Sequence, residues 1–208
     1  MPTPAPTKIL IAFYSRNSAT EALANAVAEG ARAAGAEVRL RRAREIVGPD
    51  VIARLPGWAE AVERMNAAYP APTADDAVWA DAIVFGTPTR FGAPASELRA
   101  YIDSLGGLWF QGKLNGKASG AFGSTGTKHG GNESTLLSLY NTMAHLGLVI
   151  VPTGYADEAM FKAGSPYGAT AVVPPNGAPT EEDLAVARFQ GRRITEVAAA
   201  LQAARPAA

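Results

Sequence analysis

The chain has 208 residues, of which 48% are hydrophobic and 18% charged; this suits one folded domain with a sizeable core and excludes a disordered chain. Its 19 basic and 19 acidic residues cancel, which argues against nucleic acid as a ligand, because phosphate backbones call for a basic surface. The absence of cysteine removes disulfides, thiolate nucleophiles and iron–sulfur clusters, and two histidines, His129 and His145, are too few for a His-based metal site, so no metal is expected.

No apolar run reaches the roughly 18–20 residues of a membrane helix, so no membrane insertion is expected. The Pro-rich start, M-P-T-P-A-P-T, lacks the features of a signal peptide. It reads as a disordered arm over 1–7, preceding a single domain over 8–205, and the chain reads as cytoplasmic.

Lys8 to Phe13 (K-I-L-I-A-F) is a continuously apolar run, the pattern of a strand buried on both faces of a parallel sheet. Thr20 to Ala34 follows with helical period, its stripe formed by Leu23, Ala26, Val27, Gly30, Ala31 and Ala34, and Gly35 is placed to end it. Glu37 to Leu40 alternates charged and apolar residues as an edge or near-edge strand would, completing a βαβ unit. Residues 42–73 read as a surface excursion holding one helix, Trp58 to Ala68. Thr73, Asp75 and Asp76 open a short helix, Asp76 to Ala80, in the manner of capping residues.

Ala82 to Phe85 is a third strand, expected to stop at Gly86 in a stiff turn, since Pro88 fixes its own φ and restrains Thr87. A helix from Pro94 to Leu105 is stopped by Gly106 and Gly107, and Leu108 to Phe110 reads as an aromatic loop. Lys117 to Phe122 is the fourth strand, Ser134 to Leu146 a helix, and Leu148 to Val151 the fifth strand. Residues 153–179 are rich in Gly, Pro and Ala without period, a long loop of a sort that is often functional. Thr180, followed by Glu181, Glu182 and Asp183, opens the last helix favourably for its dipole. Five strands alternating with helices predict a doubly wound α/β fold with a five-stranded parallel sheet flanked by helices on both faces.

In such a sheet ligands bind beyond the carboxyl ends of the strands, which singles out the loops after strands one, three and four. The first, Y-S-R-N-S-A-T, lacks the G-x-G-x-x-G of dinucleotide folds but puts hydroxyls at a helix start, where they suit either a phosphate or plain N-capping. The second, G-T-P-T-R-F-G, offers backbone N–H groups, a cation and an aromatic face, fitting either a planar ring or an ordinary connection. The third, S-T-G-T-K-H-G-G, brings hydroxyls and glycines that let backbone approach a ligand. Three such loops at one sheet edge fit a planar cofactor with a phosphate tail.

Those segments, F-G-T-P-T-R-F-G followed by G-G-L-W, S-T-G-T, H-x-G-x-V-I-V-P, P-Y-G-A-T and A-R-x-Q-G, run in order along nearly the whole chain. They closely resemble the WrbA-type NAD(P)H:quinone oxidoreductases, flavodoxin-like FMN proteins that are usually tetrameric. The resemblance implies FMN as cofactor, NADH or NADPH as reductant, a quinone as two-electron acceptor, ping-pong turnover and a homotetramer or homodimer. It implies phosphate binding by Ser15, Arg16, Asn17, Ser18, Ala19 and Thr20. It implies flavin contacts from Pro88, Thr89, Arg90 and Phe91 and from Ser124, Thr125, Gly126 and Thr127. Trp109 matches the family's substrate-pocket tryptophan, and His145 a histidine that reaches the flavin site from a neighbouring subunit; with Arg90 these are the expected catalytic residues. Asn17, with Trp109 the expected substrate contact, and Ala19 depart from the family's S-x-Y-G-H, in which the tyrosine meets the nicotinamide nucleotide. The third loop also departs after S-T-G-T, and the segment before P-Y-G-A-T is short. A flavodoxin-type electron carrier is the alternative reading, but such carriers tend to be strongly acidic for docking and this chain is neutral.

Overall fold

The computed structural model describes residues 5–174 and 177–204. The disordered arm expected over 1–7 lies outside the described residues for its first four; at its end Thr7 is buried and its hydroxyl donates to Gln202 Oε1 at 3.2 Å. Strand β1 (Lys8–Phe13) has the predicted limits. Its side chains alternate between two cores: Ile9, Ile11 and Phe13 face one layer, Leu10, Ala12 and Tyr14 the other. The continuous apolar run arises from this two-sided burial.

Helix α1 (Ala19–Ala33) leads to Gly35, at φ 85°, and to β2 (Glu37–Arg42) at the sheet edge. Residues 43–72 are more ordered than a surface excursion. They contain α2 (Pro49–Ile52) and α3 (Trp58–Ala68), bury Ala43, Trp58 and Met65, and cover Arg42 completely. Helix α4 (Ala74–Trp79) carries a capping box between Thr73 and Asp76, whose carboxylate also receives Arg39 at 3.0 Å and Arg41 at 2.9 Å. Burial raises the Asp76 pKa, but the hydrogen bonds from Arg41, Arg39 and Thr73 outweigh it and hold it below the usual range.

Strand β3 (Ala82–Arg90) does not stop at Gly86; it runs alongside the next core strand as far as Pro88↔Ser124. Proline is tolerated there because β1 ends at Phe13↔Gly86, so beyond Gly86 that side of β3 has no ladder in which an N–H is needed. The chain then folds back as β4 (Ala93–Pro94), pairing Arg90↔Ala93 through Phe91 and Gly92, both at positive φ (51° and 76°). That is the two-residue hairpin geometry that suits strand twist. The expected loop is therefore a hairpin. Helix α5 (Ser96–Ser104) is followed by a short helix, α6 (Gly106–Phe110), in place of the expected aromatic loop.

Strand β5 (Ala118–Thr125) runs three residues beyond its predicted end, so Ser124 and Thr125 belong to the strand. Helix α7 (Asn132–His145) and β6 (Val149–Ile150) follow. The long loop contains a 3₁₀ turn (Glu158–Phe161) and β7 (Thr170–Val172), which pairs with Gly123–Thr125. Helix α8 (Glu181–Ala204) starts with Thr180 and Asp183 exchanging hydrogen bonds. The parallel strands lie in the order β2-β1-β3-β5-β6, the predicted doubly wound arrangement, with β4 and β7 as additions. Helices α1 and α8 cover one face, α5 and α7 the other. Two glycines set the closeness of the first pair: a Cβ on Gly30 would meet the Arg188 carbonyl oxygen at 1.8 Å, and one on Gly191 that of Val27 at 2.0 Å.

Candidate functional site

Strand β1 sends the chain to β2 on one side, while β3 lies on the other, so the order reverses between β1 and β3. At their carboxyl ends is a cleft lined by Ser15, Arg16, Asn17, Ala19, Thr20, Pro88, Thr89, Arg90, Ser124, Thr125, Gly126 and Val173. Residues from all three predicted loops thus meet in one place. Ser18 lines an adjoining cavity beside Arg16 and Asn17.

Capping does not account for the first loop. Ser18 precedes α1 at φ 72° and makes no side-chain capping bond, so its hydroxyl leaves the first-turn N–H groups of α1 untouched. The Thr20 hydroxyl instead meets the Ser124 hydroxyl at 2.9 Å, tying the first loop to the third in a buried contact. Glu21 is held by Arg64 at 2.6 Å; burial raises its pKa, but hydrogen bonds from Arg64 and Tyr69 bring it below the usual range.

Two cations face the cleft. Arg16 lies over the Trp58 ring, 5.3 Å from its centroid, and its buried Nε has no hydrogen-bond partner among the described residues. Arg90 donates to the Thr89 carbonyl at 3.3 Å. Burial lowers its pKa first, and the neighbouring Arg16 charge lowers it further. Neither arginine forms an ion pair among the described residues. Two partly buried, unneutralised guanidiniums beside a helix start favour an anion.

The second loop is rigid. The Thr87 hydroxyl accepts the Ala95 N–H at 2.9 Å and donates to the Pro88 carbonyl at 2.9 Å, joining β3 to the start of α5. Thr89 accepts from Thr135 at 3.2 Å, and Ser134 reaches the Gly92 carbonyl, so α7 supports the hairpin from behind. At Gly86 a Cβ would strike the Phe122 ring at 2.1 Å, which accounts for a glycine within the strand.

Besides Ser18, four predicted residues do not line the cleft. Thr127 is exposed on the third loop, and Phe91 is fully exposed at the hairpin tip. Trp109 and His145 lie at the opposite edge of the sheet. Helix α7 starts beside the hairpin and spans about 21 Å for its 14 residues, so His145, at its far end, sits next to the entry of β6, whose Val149 pairs with Ala118 at the start of β5. Trp109 follows α5, which runs in the same direction, and is half exposed. Two contributors were not apparent in the sequence. Val173 belongs to a stretch without period, and Arg42, which grips the Ser15 carbonyl from beneath, ends a charged run that reads as a solvated edge.

The family of NADPH-dependent FMN reductases matches residues 8–160. A Deinococcus radiodurans protein named NAD(P)H dehydrogenase (quinone) is 48% identical over 95% of this chain and 98% of its own. One from Rhizobium meliloti, NAD(P)H dehydrogenase (quinone) 3, is 44% identical over 96% and 95%. Among solved structures, a flavodoxin, WrbA-like protein from Agrobacterium tumefaciens superposes with a TM-score of 0.67 at 25% identity, covering 93% of this chain and 98% of that one. Flavodoxin 2 from Bacillus cereus, 19% identical with a TM-score of 0.61 over 92% and 99%, shares the fold.

Proposed function

Because the chain belongs to the family of NADPH-dependent FMN reductases and NAD(P)H dehydrogenases (quinone), we propose that it is an FMN-dependent oxidoreductase carrying two electrons from NADH or NADPH to a quinone in ping-pong order. The observation that carries this reading is the cleft itself: an uncapped helix start and two unpaired arginines on one side, with a rigid strand and hairpin on the other. That combination suits a phosphate-tailed planar ring.

The residues present fit FMN. The orphaned Arg16 Nε and the open N–H groups of α1 would hold its phosphate, with Ser15, Asn17, Ser18, Ala19 and Thr20 around it. Pro88 to Arg90 and Ser124 to Gly126 would surround the ring. When bound, FMN supplies the two-electron chemistry that links nicotinamide and quinone. Arg90 places a positive charge where negative charge develops on reduction, in a partly buried setting that strengthens its effect. The rigid Thr87 contacts keep the backbone of this segment in place without reorganisation.

Phe91, Trp109 and His145 complete the substrate side in this proposal as contributions between copies of the chain, in a homotetramer or homodimer. Supporting it, Phe91 is a bulky apolar residue at the hairpin tip whose ring is fully exposed among the described residues, so burial against another copy would remove its apolar surface from water. Trp109 and Phe91 would hold a flat quinone, His145 would donate a hydrogen bond to its oxygen, and Asn17 would meet the nicotinamide nucleotide. No helix among the described residues is long and apolar enough to cross a membrane; action in the cytoplasm, by one domain over 8–205, belongs to the same proposal. The test is purification without added flavin. A yellow protein absorbing near roughly 450 nm, bleached by NADH or NADPH and recoloured by benzoquinone, is expected. A colourless protein unable to take up FMN would overturn the reading, and a yellow one that neither nucleotide bleaches would be an electron carrier.

A further inference from the structure

Arg42 ends the edge strand β2, yet it is fully buried, and its five N–H donors are all engaged. Nε and Nη2 fork onto the Ser15 carbonyl at 3.3 and 2.9 Å, Nη1 donates to Asn66 Oδ1 at 2.8 Å, and Nη1 and Nη2 both meet the Glu45 carboxylate. The guanidinium also lies 5.3 Å from the centre of the Tyr14 ring. Burying a charge this fully is costly, and an apolar side chain of similar volume would serve packing at least as well. The arrangement has a directional result that an apolar residue lacks: it fixes the orientation of one carbonyl at the point where β1 turns into the first loop.

Peptide planarity carries that orientation across to the cleft. With no cis bond among the described residues, the N–H of Arg16 points opposite to the Ser15 carbonyl, hence away from Arg42. Among the described residues this N–H has no hydrogen-bond partner, and both Ser15 and Arg16 line the cleft. We propose that Arg42 is a positioning residue: by forking onto the Ser15 carbonyl it presents the Arg16 N–H and the following loop to the phosphate of the flavin. This rests on the FMN reading given above. It also explains the segment 43–72, which supplies Glu45 and Asn66 and closes over the guanidinium, and whose Arg44 shares Asn66 Oδ1 at 2.7 Å and donates to the Tyr69 carbonyl at 2.8 Å.

The test compares FMN with riboflavin, which has the same ring and no phosphate. Affinities are measured by quenching of flavin fluorescence on apoprotein whose fold is checked by circular dichroism. The wild type should prefer FMN. Arg42→Lys keeps the charge but loses the planar fork, so it should narrow that preference at least about ten-fold while riboflavin affinity stays within about two-fold. A general loss of stability would weaken both flavins alike. Should Arg42→Lys not fold, Asn66→Ala removes one acceptor that orients the guanidinium and should narrow the preference about three-fold. A folded variant that keeps the wild-type preference overturns the positioning role and leaves the FMN reading intact. A wild type that binds riboflavin as tightly as FMN overturns the phosphate site and this inference with it, and one that binds neither flavin overturns the FMN reading as well.

Discussion

The two edges of the sheet differ in how complete they are. At the carboxyl edge the first loop, the β3 hairpin and the end of β5 meet in a cleft whose parts are cross-braced: Thr20 to Ser124, Thr87 to Ala95, Thr89 to Thr135 and Arg42 to Ser15. At the amino edge Trp109 and His145 stand at helix ends, exposed and about one helix length away. The difference suggests a division of labour. A single chain can shape the binding site for the cofactor, while the residues expected to handle the second substrate face outward, where another copy can use them.

Breaking what both edges share should have the largest effect. They hang on one scaffold in which α1 packs tightly against α8, so Gly191→Ala, which pushes a Cβ into the Val27 carbonyl, should cost about 3 kcal/mol or more. A urea midpoint unchanged from wild type would contradict this. Next, the carboxyl edge should respond to loss of its cations. Arg16→Ala combined with Arg90→Ala is expected to weaken FMN by about a hundred-fold, as two charge-assisted contacts would, and fluorescence titration measures it. The amino edge should behave in the opposite way: His145→Ala should leave FMN affinity unchanged and lower kcat/KM for quinone by about ten-fold.

Acid should produce the smallest effect and act on neither edge. The Asp76 pKa lies below its unfolded value, so its contribution is present above the unfolded pKa, near roughly 4, and is lost as pH falls through the folded value. Asp76→Asn should therefore flatten the fall in urea midpoint between about pH 5 and pH 2. A fall as steep as in the wild type would show that Arg39 and Arg41 do not hold this carboxylate.

Much of this architecture is legible in the sequence where a periodic signal is strong and local. The apolar run Lys8–Phe13 and the Trp58–Ala68 helix have their predicted limits. The misreadings of strands share a cause, since each depends on pairing or packing with a distant segment. Gly86 and Pro88 look like strand breakers, yet β3 continues because Phe122 fills the space over the glycine and β1 has already ended beside the proline. Strand β7, three residues long, exists only by pairing with the end of β5. Gly106 and Gly107 read as a stop, but α6 forms across them. At the cleft, eleven of the twelve lining residues are legible from their loops, leaving Val173. Arg42 is hidden because a charged strand end gives no sign that residues 43–72 will cover it.

The division between the edges is tested most directly by mixing two inactive or weakened copies. His145→Ala chains keep the cleft, and Arg16→Ala/Arg90→Ala chains keep His145. Mixed, dissociated and reassembled, the two should regain quinone reductase activity well above the sum of the separate preparations, rising and falling with the mixing ratio. Activity equal to that sum at every ratio, with both variants assembled together, would show that each chain uses its own His145 or none.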